Sequence, residues 1–313
     1  MAQPEKYINP LTDFGFKKLF GTEPNKALLI DFLNQLLPKS KKIKLLTYTK
    51  NEHLGSSPLD RKAIFDLYCE NEKGEKFIVE MQKAKQNYFK DRSVYYSTFP
   101  IQEQAKRGEW NYQLTDIFTI GILDFVFNDS SDKNYISTVK LKDQDHQVFY
   151  DKLTFIYIEL PRFKKQESEL ISKFDKWIYV LKHLPDLENR PPALKEKIFE
   201  KLFKSAEIAK FSVAEKQSYE ESLKYYRDIK NVVDTSKQEG LEKGIKKGLK
   251  EGLEKGLKEG IKKGLEEGIE KGKVTRNIEI VKEGLKEGLS IEMISKLTGL
   301  GKKEIEKIKN EIK

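Results

Sequence analysis

The sequence predicts an α/β fold in which a mixed central sheet is flanked by helices and followed by a helical C-terminal tail. Residues 63–82 have the pattern of a β-hairpin, with a turn over 71–75 in which Gly74 supplies a positive φ. Two runs rich in Ile, Phe and Tyr, 116–127 and 153–160, indicate further strands. Segments with helical apolar spacing lie on both sides of this strand-rich region, and this order predicts an α/β sandwich.

The elements before the hairpin follow from local patterns. Helices are predicted over 11–20 and 25–37, and Asn25 is placed to cap the second one. The apolar stripe of the second helix consists of Leu28, Leu29, Phe32, Leu33 and Leu36. A short strand is predicted over 43–49.

The elements after the hairpin alternate between helix and strand. A helix is predicted over 89–106, with a break near Pro100. Residues 138–147 are predicted to form an excursion between strands. The pattern from 167 to 235 is helical, with an interruption at 184–192.

The predicted hairpin places two acidic residues opposite each other. If Glu70 pairs with Lys76, then Asp66 meets Glu80 across the two strands, and opposed Cβ atoms lie roughly 4.5–5.5 Å apart. The same register gives one apolar face, made of Phe65, Leu67, Cys69, Phe77, Val79 and Met81. Like charges at that distance repel, and a divalent cation with oxygen ligands is their natural counterion.

The composition limits the class of protein. The chain has 313 residues, a net charge of +9 and one cysteine, so it predicts a core domain with an appendage and excludes an internal disulfide. The basic charge permits binding to a polyanion such as DNA. No apolar run reaches the roughly 18 residues of a membrane span, and the first ten residues lack the apolar stretch of a signal peptide. We therefore expect a cytoplasmic protein that does not bind membranes.

The tail differs sharply in composition. All aromatic residues lie before residue 236, which predicts a first domain over 1–235, a repeat segment over 236–288 and a two-helix cap over 289–313. Glycine recurs at every fourth position from Gly240 to Gly272. One interpretation is a long helix that self-associates as a homodimer through close backbone approach. The other is a charged, flexible linker, because each glycine costs a helix roughly 1 kcal/mol.

The last 25 residues are similar to two helices of a helix-turn-helix. Ser290 can cap the first short helix and Gly299 can end it. Two readings are open, a packing cap for the tail and a helix pair that contacts DNA.

Four segments carry a resemblance to a known family: DFGFKKLFG at 13–21, the hairpin region at 60–82, DRSVYYSTFPIQEQAKRGEWNYQL at 91–114, and IFTIGILDFVF at 117–127. The chain resembles the PD-(D/E)xK nuclease superfamily, and within it the Rpn-type recombination-promoting nucleases, also described as PD-(D/E)xK family transposases. The resemblance implies a restriction-endonuclease-like core and a deoxyribonuclease that hydrolyses phosphodiester bonds in recombination or mobile elements.

The resemblance also implies a metal site. Asp66 takes the position of the metal-binding Asp, and Glu80 takes that of the Glu in E-x-K. The expected cofactor is Mg²⁺ or Mn²⁺, which lowers the pKa of a bound water and stabilises charge on the phosphate. Asp13 is a third predicted metal ligand, with capping of its own helix as the competing role.

Gln82 departs from the superfamily motif, which has lysine at this position. An amide can orient water but brings no positive charge. Lys62 is our predicted replacement, because strand alternation places it on the face of Asp66. Lys83 and Lys85 are the other candidates, although a regular strand would turn Lys83 towards the core.

The helix after the hairpin offers predicted DNA contacts. Arg92 and Tyr96 lie four residues apart and share a face, so both can contact the DNA backbone, whereas Tyr95 is predicted to lie in the core. The expected function is metal-dependent DNA cleavage. The alternative is a weakly active or inactive DNA-binding protein that assembles through its tail, and the missing lysine at position 82 favours it.

Overall fold

The computed structural model describes residues 5–50, 52–53, 63–105, 111–127 and 134–311. The chain divides into two compact units, Met1–Thr235 and Ser236–Lys313. The strands are β1 (Leu46–Tyr48), β2 (Glu52–His53), β3 (Ala63–Ile64), β4 (Leu67–Asn71), β5 (Lys76–Gln82), β6 (Ile117–Leu123), β7 (Ile136–Lys142) and β8 (Val148–Glu159). The α-helices are α1 (Asp13–Phe20), α2 (Lys26–Leu36), α3 (Phe89–Glu103), α4 (Lys173–His183), α5 (Lys197–Ala206), α6 (Val213–Lys286), α7 (Ile291–Thr298) and α8 (Lys302–Glu311).

A six-stranded mixed sheet is the centre of the first unit. Its strand order is β1-β4-β5-β6-β8-β7, and β2 and β3 form a separate two-stranded ribbon. β5, β6 and β8 run parallel to one another, while β1, β4 and β7 are antiparallel to their neighbours. Helices cover the sheet, and the predicted α/β fold with a mixed sheet flanked by helices is confirmed.

The β4–β5 hairpin has the predicted register, with Glu70 opposite Lys76 and Leu67 opposite Val79. Its turn is stabilised by the side chain of Asn71, whose Oδ1 accepts hydrogen bonds from the backbone N–H groups of Lys73 (3.0 Å) and Glu75 (3.0 Å). Gly74 has a φ of 76°, the left-handed conformation that this turn requires.

Opposite faces of the sheet pack against different helices. One face buries Leu67, Phe77 and Val79 in the main core, together with side chains of α1, α2, α4, α5 and the start of α6. On the other face, Ile78 and Tyr68 pack with Phe65 and with partly buried aromatic residues of α3. The residues at the C-terminal end of β5 therefore lie next to α3, and this places the site described below.

Several predicted elements differ from the observed ones. Residues 136–142 form the edge strand β7, so the predicted excursion over 138–147 was wrong; most of the β7 side chains are exposed, and the apolar signal is weak for that reason. α3 continues through Pro100 to Glu103 without the predicted break. Asn25 does not cap α2, because its Nδ2 donates to the carbonyl of Lys18 (2.9 Å).

Phe65 also departs from the prediction. The chain bends between β3 and β4 at Phe65 and Asp66, so the alternation of faces is interrupted there. Phe65 consequently packs with Tyr68 (ring centroids 5.4 Å apart) rather than with Leu67 on the main core face.

Asp175 at the start of α4 is a buried polar centre of the first unit. Its carboxylate accepts hydrogen bonds from Tyr135 (2.7 Å), Lys165 (2.8 Å) and the N–H of Ser172 (3.2 Å). Burial opposes the charge, but these donors together lower the pKa of Asp175 to about 2. Asp175 therefore stabilises the fold above its ordinary pKa of 3.8, and this contribution is lost as the pH falls through about 2.

We expect Asp175→Asn to lower the free energy of unfolding by about 2 kcal/mol at pH 7, because charged hydrogen bonds are lost. The difference from the wild type should shrink as urea titrations are repeated towards pH 2. Glu200→Gln is the control, since Glu200 forms an exposed pair with Lys204 on α5 and should change little. Equal unfolding curves for Asp175→Asn and the wild type would contradict this account.

The second unit contains the C-terminal part of α6, followed by α7 and α8. Val281, Ile294 and Ile305 form its small buried core, one from each helix. Ser290 caps α7, with its Oγ accepting from the N–H of Met293 (3.3 Å), and Gly299 ends α7 with a φ of 74°. The glycine repeat is helical, because it lies within α6. Over the described part of the chain, no helix combines the length and apolarity needed to cross a membrane.

Candidate functional site

Asp66 and Glu80 lie side by side at the open end of the β4–β5 hairpin, the end away from its turn. The backbone N–H of Asp66 donates to Oε1 of Glu80 (3.2 Å), and the N–H of Met81 donates to Oδ2 of Asp66 (2.7 Å). Each carboxylate thus accepts a hydrogen bond from the backbone of the opposite segment. These two bonds hold the acids together although Asp66 occupies a bend rather than a regular strand position.

The pKa values of both acids are raised above those of free carboxyl groups. The pKa of Glu80 is raised first by burial and then by the negative charge of Asp66. The pKa of Asp66 is raised by burial, and the hydrogen bond from Met81 partly offsets this. Two carboxylates sharing a buried site destabilise their common ionised state, which is the condition that a bound cation relieves.

The donor atoms of this pair suit a divalent cation. Carboxylate oxygens are hard ligands, and Mg²⁺ is commonly bound by one or two carboxylates, with water and substrate phosphate completing its shell. Within the ranges that the structure describes, no group of three or more His, Cys, Asp or Glu side chains is close enough to hold a metal. Asp66 and Glu80 therefore fit a metal that takes its remaining ligands from water and substrate.

Asp13 lies on the first turn of α1, where its carboxylate pairs with Lys17 (3.1 Å). It does not cap the helix, because Oγ1 of Thr12 accepts the N–H of Gly15 (3.0 Å) in that role. The charge of Asp13 still raises the pKa of Asp66, so Asp13 is an electrostatic neighbour of the pair. Its role as a metal ligand stays a prediction.

Gln82 is held by Arg92. Its Oε1 accepts a hydrogen bond from Nη2 of Arg92 (2.6 Å), and its Nε2 donates to the carbonyl of Ala84 (3.1 Å). Arg92 also donates to Oε1 of Gln86 (2.8 Å), and its positive charge lowers the pKa of Glu80. The guanidinium therefore belongs to the same site as the acids.

Tyr96 is partly buried, and Tyr95 is exposed. The ring of Tyr96 packs edge-on against Phe65 (5.2 Å between centroids) and lies 5.7 Å from the guanidinium of Arg92. Tyr95 is 43% exposed, so its predicted place in the core was wrong. A DNA contact by Arg92 or Tyr96 stays a prediction.

The candidate lysines occupy different surroundings. Lys62, the predicted replacement for the motif lysine, lies outside the described residues. Lys83 follows Gln82, the last residue of β5, so the regular strand on which its predicted orientation depended ends one residue before it. It is half-buried, its Nζ lies 5.0 Å from the ring centroid of Tyr225 on α6, and it interacts electrostatically with Asp66.

Two residues of the site, one beside the acids and one beside Lys83, were missed in the sequence. Lys17 lowers the pKa of both Asp66 and Glu80, and its position one turn after Asp13 was the available signal. Tyr225 contacts Lys83 from α6. No local pattern could connect Tyr225 to the hairpin, because the two are separated by most of the first unit.

The raised pKa of Glu80 predicts a pH-dependent stability of the metal-free protein. A carboxyl with a raised folded pKa stabilises the fold below its ordinary pKa of 4.5, and this contribution is lost as the pH rises through the folded value. In EDTA, the melting temperature should fall from pH 5 towards pH 9, and Glu80→Gln should reduce this fall. Mg²⁺ should raise the melting temperature of the wild type at high pH but not that of the variant. The same pH profile for both proteins would contradict the prediction.

Comparison with known proteins agrees with the motifs. The sequence profile of the PD-(D/E)XK nuclease family transposase matches residues 10–236, which include both acids and the whole sheet. No curated protein and no solved structure matches the chain. Nucleases of this class generally use divalent metal ions, act on DNA, and share the α/β fold seen here. The chain therefore belongs to the PD-(D/E)XK nuclease family transposases.

Proposed function

We propose that the protein is a DNA endonuclease that hydrolyses phosphodiester bonds with Mg²⁺ or Mn²⁺, in recombination or in the movement of mobile elements. The observation that carries the proposal is the pair of carboxylates at the hairpin edge, each tied to the opposite backbone. Membership of the nuclease family supports the reaction class.

Asp66 and Glu80 would hold the metal ion, with Asp13 as the further candidate. When bound, the ion supplies an acidified water and stabilises charge on the phosphate. Arg92 keeps Glu80 towards its ionised form, and Gln82 keeps the guanidinium of Arg92 beside the acids. In this arrangement the amide at position 82 orients a cation instead of supplying one.

Lys83 is our candidate for the positive charge that lysine brings in the superfamily motif, and Lys62 is the alternative. Burial lowers the pKa of Lys83, and the Tyr225 ring limits where the ammonium group lies. A desolvated ammonium near the acids is suited to stabilising a developing negative charge.

Lys83→Ala is expected to lower kcat for cleavage about 100- to 1,000-fold, the range seen when one electrostatic donor to the transition state is removed. Lys85→Ala is the matched control, because Lys85 lies two residues further on and is exposed. Lys83→Arg should recover part of the rate. If Lys83→Ala cleaves as fast as Lys85→Ala, the required cation lies elsewhere and Lys62 becomes the candidate.

A cleavage assay on supercoiled and linear DNA tests the function. We expect nicked or linear products with Mg²⁺ or Mn²⁺ and none with EDTA. The second candidate function is a DNA-binding protein with little or no nuclease activity, favoured by glutamine in place of the motif lysine. DNA binding without metal-dependent products would support this candidate over the nuclease.

A further inference from the structure

A cavity of about 470 Å³ lies on the sheet face that packs against α3. Lys90 and Val94 of α3 line it, while Arg92 between them is turned to Gln82. The cavity and the acid pair are thus on opposite flanks of the first turns of α3. Its volume is within the usual range for small-ligand pockets.

The walls of the cavity are aromatic. The ring of Phe127 meets that of Tyr157 edge-on (5.1 Å, 90°), and Phe155 lies nearly parallel to Tyr157 (17°). Such walls favour a flat, aromatic ligand that can stack on or pack against the rings. Nucleobases are ligands of this kind, and they stack on aromatic side chains in many single-strand-binding proteins.

Charged groups of both signs stand beside these rings. The buried carboxylate of Glu159 accepts hydrogen bonds from Nε of Arg162 (2.9 Å) and from the N–H of Phe127 (3.1 Å). Nζ of Lys90 lies 5.2 Å from the ring centroid of Phe127. The carboxylate offers an acceptor to the edge of a base, and Lys90 offers a cation to the adjoining phosphate.

The position of the cavity relates it to the acid pair. Glu80 is in register with Gly121, which is in register with Tyr157, so the three residues form a row across β5, β6 and β8. A Cβ at Gly121 would lie 2.9 Å from Cδ1 of Tyr157. The Tyr157 ring therefore packs over Gly121, the residue that lies between Tyr157 and Glu80 in this row. Two strand spacings separate Glu80 from Tyr157 within the sheet, about 10 Å.

We propose that this cavity holds one unpaired base of the DNA strand whose phosphate is bound at the acid pair. The proposal rests on the proposed function, because it takes DNA as the substrate. The proposal predicts a DNA substrate in which at least one base is unstacked from the duplex, such as a single strand, a junction or a locally opened duplex.

Binding of single-stranded oligonucleotides to the full chain in EDTA tests the proposal without cleavage. Each fluorescent oligonucleotide carries one abasic position, and anisotropy gives its Kd. We expect one position to weaken binding roughly tenfold, the effect of losing one stacked base, and the other positions to have smaller effects.

Ser137→Trp fills the cavity from the exposed edge strand β7, where a large side chain is tolerated. This variant should bind the intact oligonucleotide as weakly as the wild type binds the critical abasic one, with no further loss from the abasic position. Thr138→Trp is the control, because the next residue of a strand points to the opposite face, and it should keep the wild-type pattern.

Three results would overturn the proposal. One is an equal effect of every abasic position, and another is an abasic effect that persists in Ser137→Trp. The third is saturable binding of free dAMP at the cavity with no abasic pattern on DNA, which would make it a site for free nucleotides. Failure of the nuclease assignment is seen separately, as an absence of products with Mg²⁺ and Mn²⁺ while the abasic pattern remains.

Discussion

Asp66→Asn and Glu80→Gln should each reduce metal-dependent DNA cleavage by at least about 100-fold. Each substitution removes one charged oxygen ligand from a two-carboxylate site, and every 1.36 kcal/mol lost from transition-state stabilisation is a tenfold loss of rate. The amides keep the shape of the acids, so Asn at position 66 can still accept the N–H of Met81 that Asp66 accepts now. Single-turnover cleavage of plasmid DNA in Mg²⁺ measures the effect.

The control comes from the same hairpin. Glu70 pairs with Lys76 at the turn end of the two strands, away from Asp66 and Glu80. Glu70→Gln should cleave at close to the wild-type rate, while circular dichroism shows the same fold for all three variants. Wild-type rates in both folded acid variants would remove these acids from the mechanism and, with them, the main support for the nuclease proposal.

The loss of activity should come with a gain in stability. The raised pKa of Glu80 means that its ionised form destabilises the metal-free fold. The neutral amide of Glu80→Gln removes this destabilisation. Functional sites often keep such unfavourable charge. A Glu80→Gln protein that is inactive yet more heat-resistant in EDTA at alkaline pH would separate the role of this acid in function from its role in folding.

The hairpin could be predicted from the sequence because its signals are local. Gly74 and the alternating apolar residues fix the turn and register, and both appear as expected. That register predicts that Asp66 and Glu80 lie close together, and in the structure two hydrogen bonds join them although Asp66 occupies a bend. The family resemblance then assigned metal binding to the two acids, and the geometry of the hairpin alone does not give that role.

The surroundings of the acids depend on contacts between distant segments. Lys83 lies just beyond the end of β5 at Gln82, and its contact with Tyr225 brings the end of that strand next to α6. The hydrogen bond from Arg92 to Gln82 changes the interpretation of position 82, because the amide of Gln82 positions the guanidinium group of Arg92. Such contacts leave no periodic pattern in the sequence.

Assembly of the protein as a homodimer through its tail is the second expected large effect. In α6, the Leu and Ile residues that follow the repeat glycines from Gly240 to Gly268 form a row that is between 51% and 75% exposed. These residues are Leu241, Ile245, Leu249, Leu253, Leu257, Ile261, Leu265 and Ile269. A continuous exposed apolar row is unusual in a monomer, and a glycine-rich helix has little stability of its own.

A second copy of the same helix is the partner that fits this row. The repeat glycines from Gly240 to Gly272 have open space where a Cβ would be, so another backbone can approach closely. The remaining positions carry mostly Lys and Glu, which can pair across a symmetric interface. A four-residue period advances about 40° per repeat on a helix of 3.6 residues per turn, and such a stripe favours a right-handed crossing.

The triple variant Leu249→Lys, Leu253→Lys, Leu257→Lys should convert a dimer into a monomer of 36.5 kDa, measured by light scattering of the full chain. A truncation after Thr235 should also be monomeric, with the smaller mass of the shortened chain. The control replaces Lys250 and Lys258 by Gln, which changes charge in the same turns and leaves the apolar row intact, so it should stay dimeric. If the full chain and the truncation have the same oligomeric state, the tail is not the assembly element. A dimer would bring two acid pairs into one particle, and cutting both strands of a duplex requires two such sites or two successive reactions.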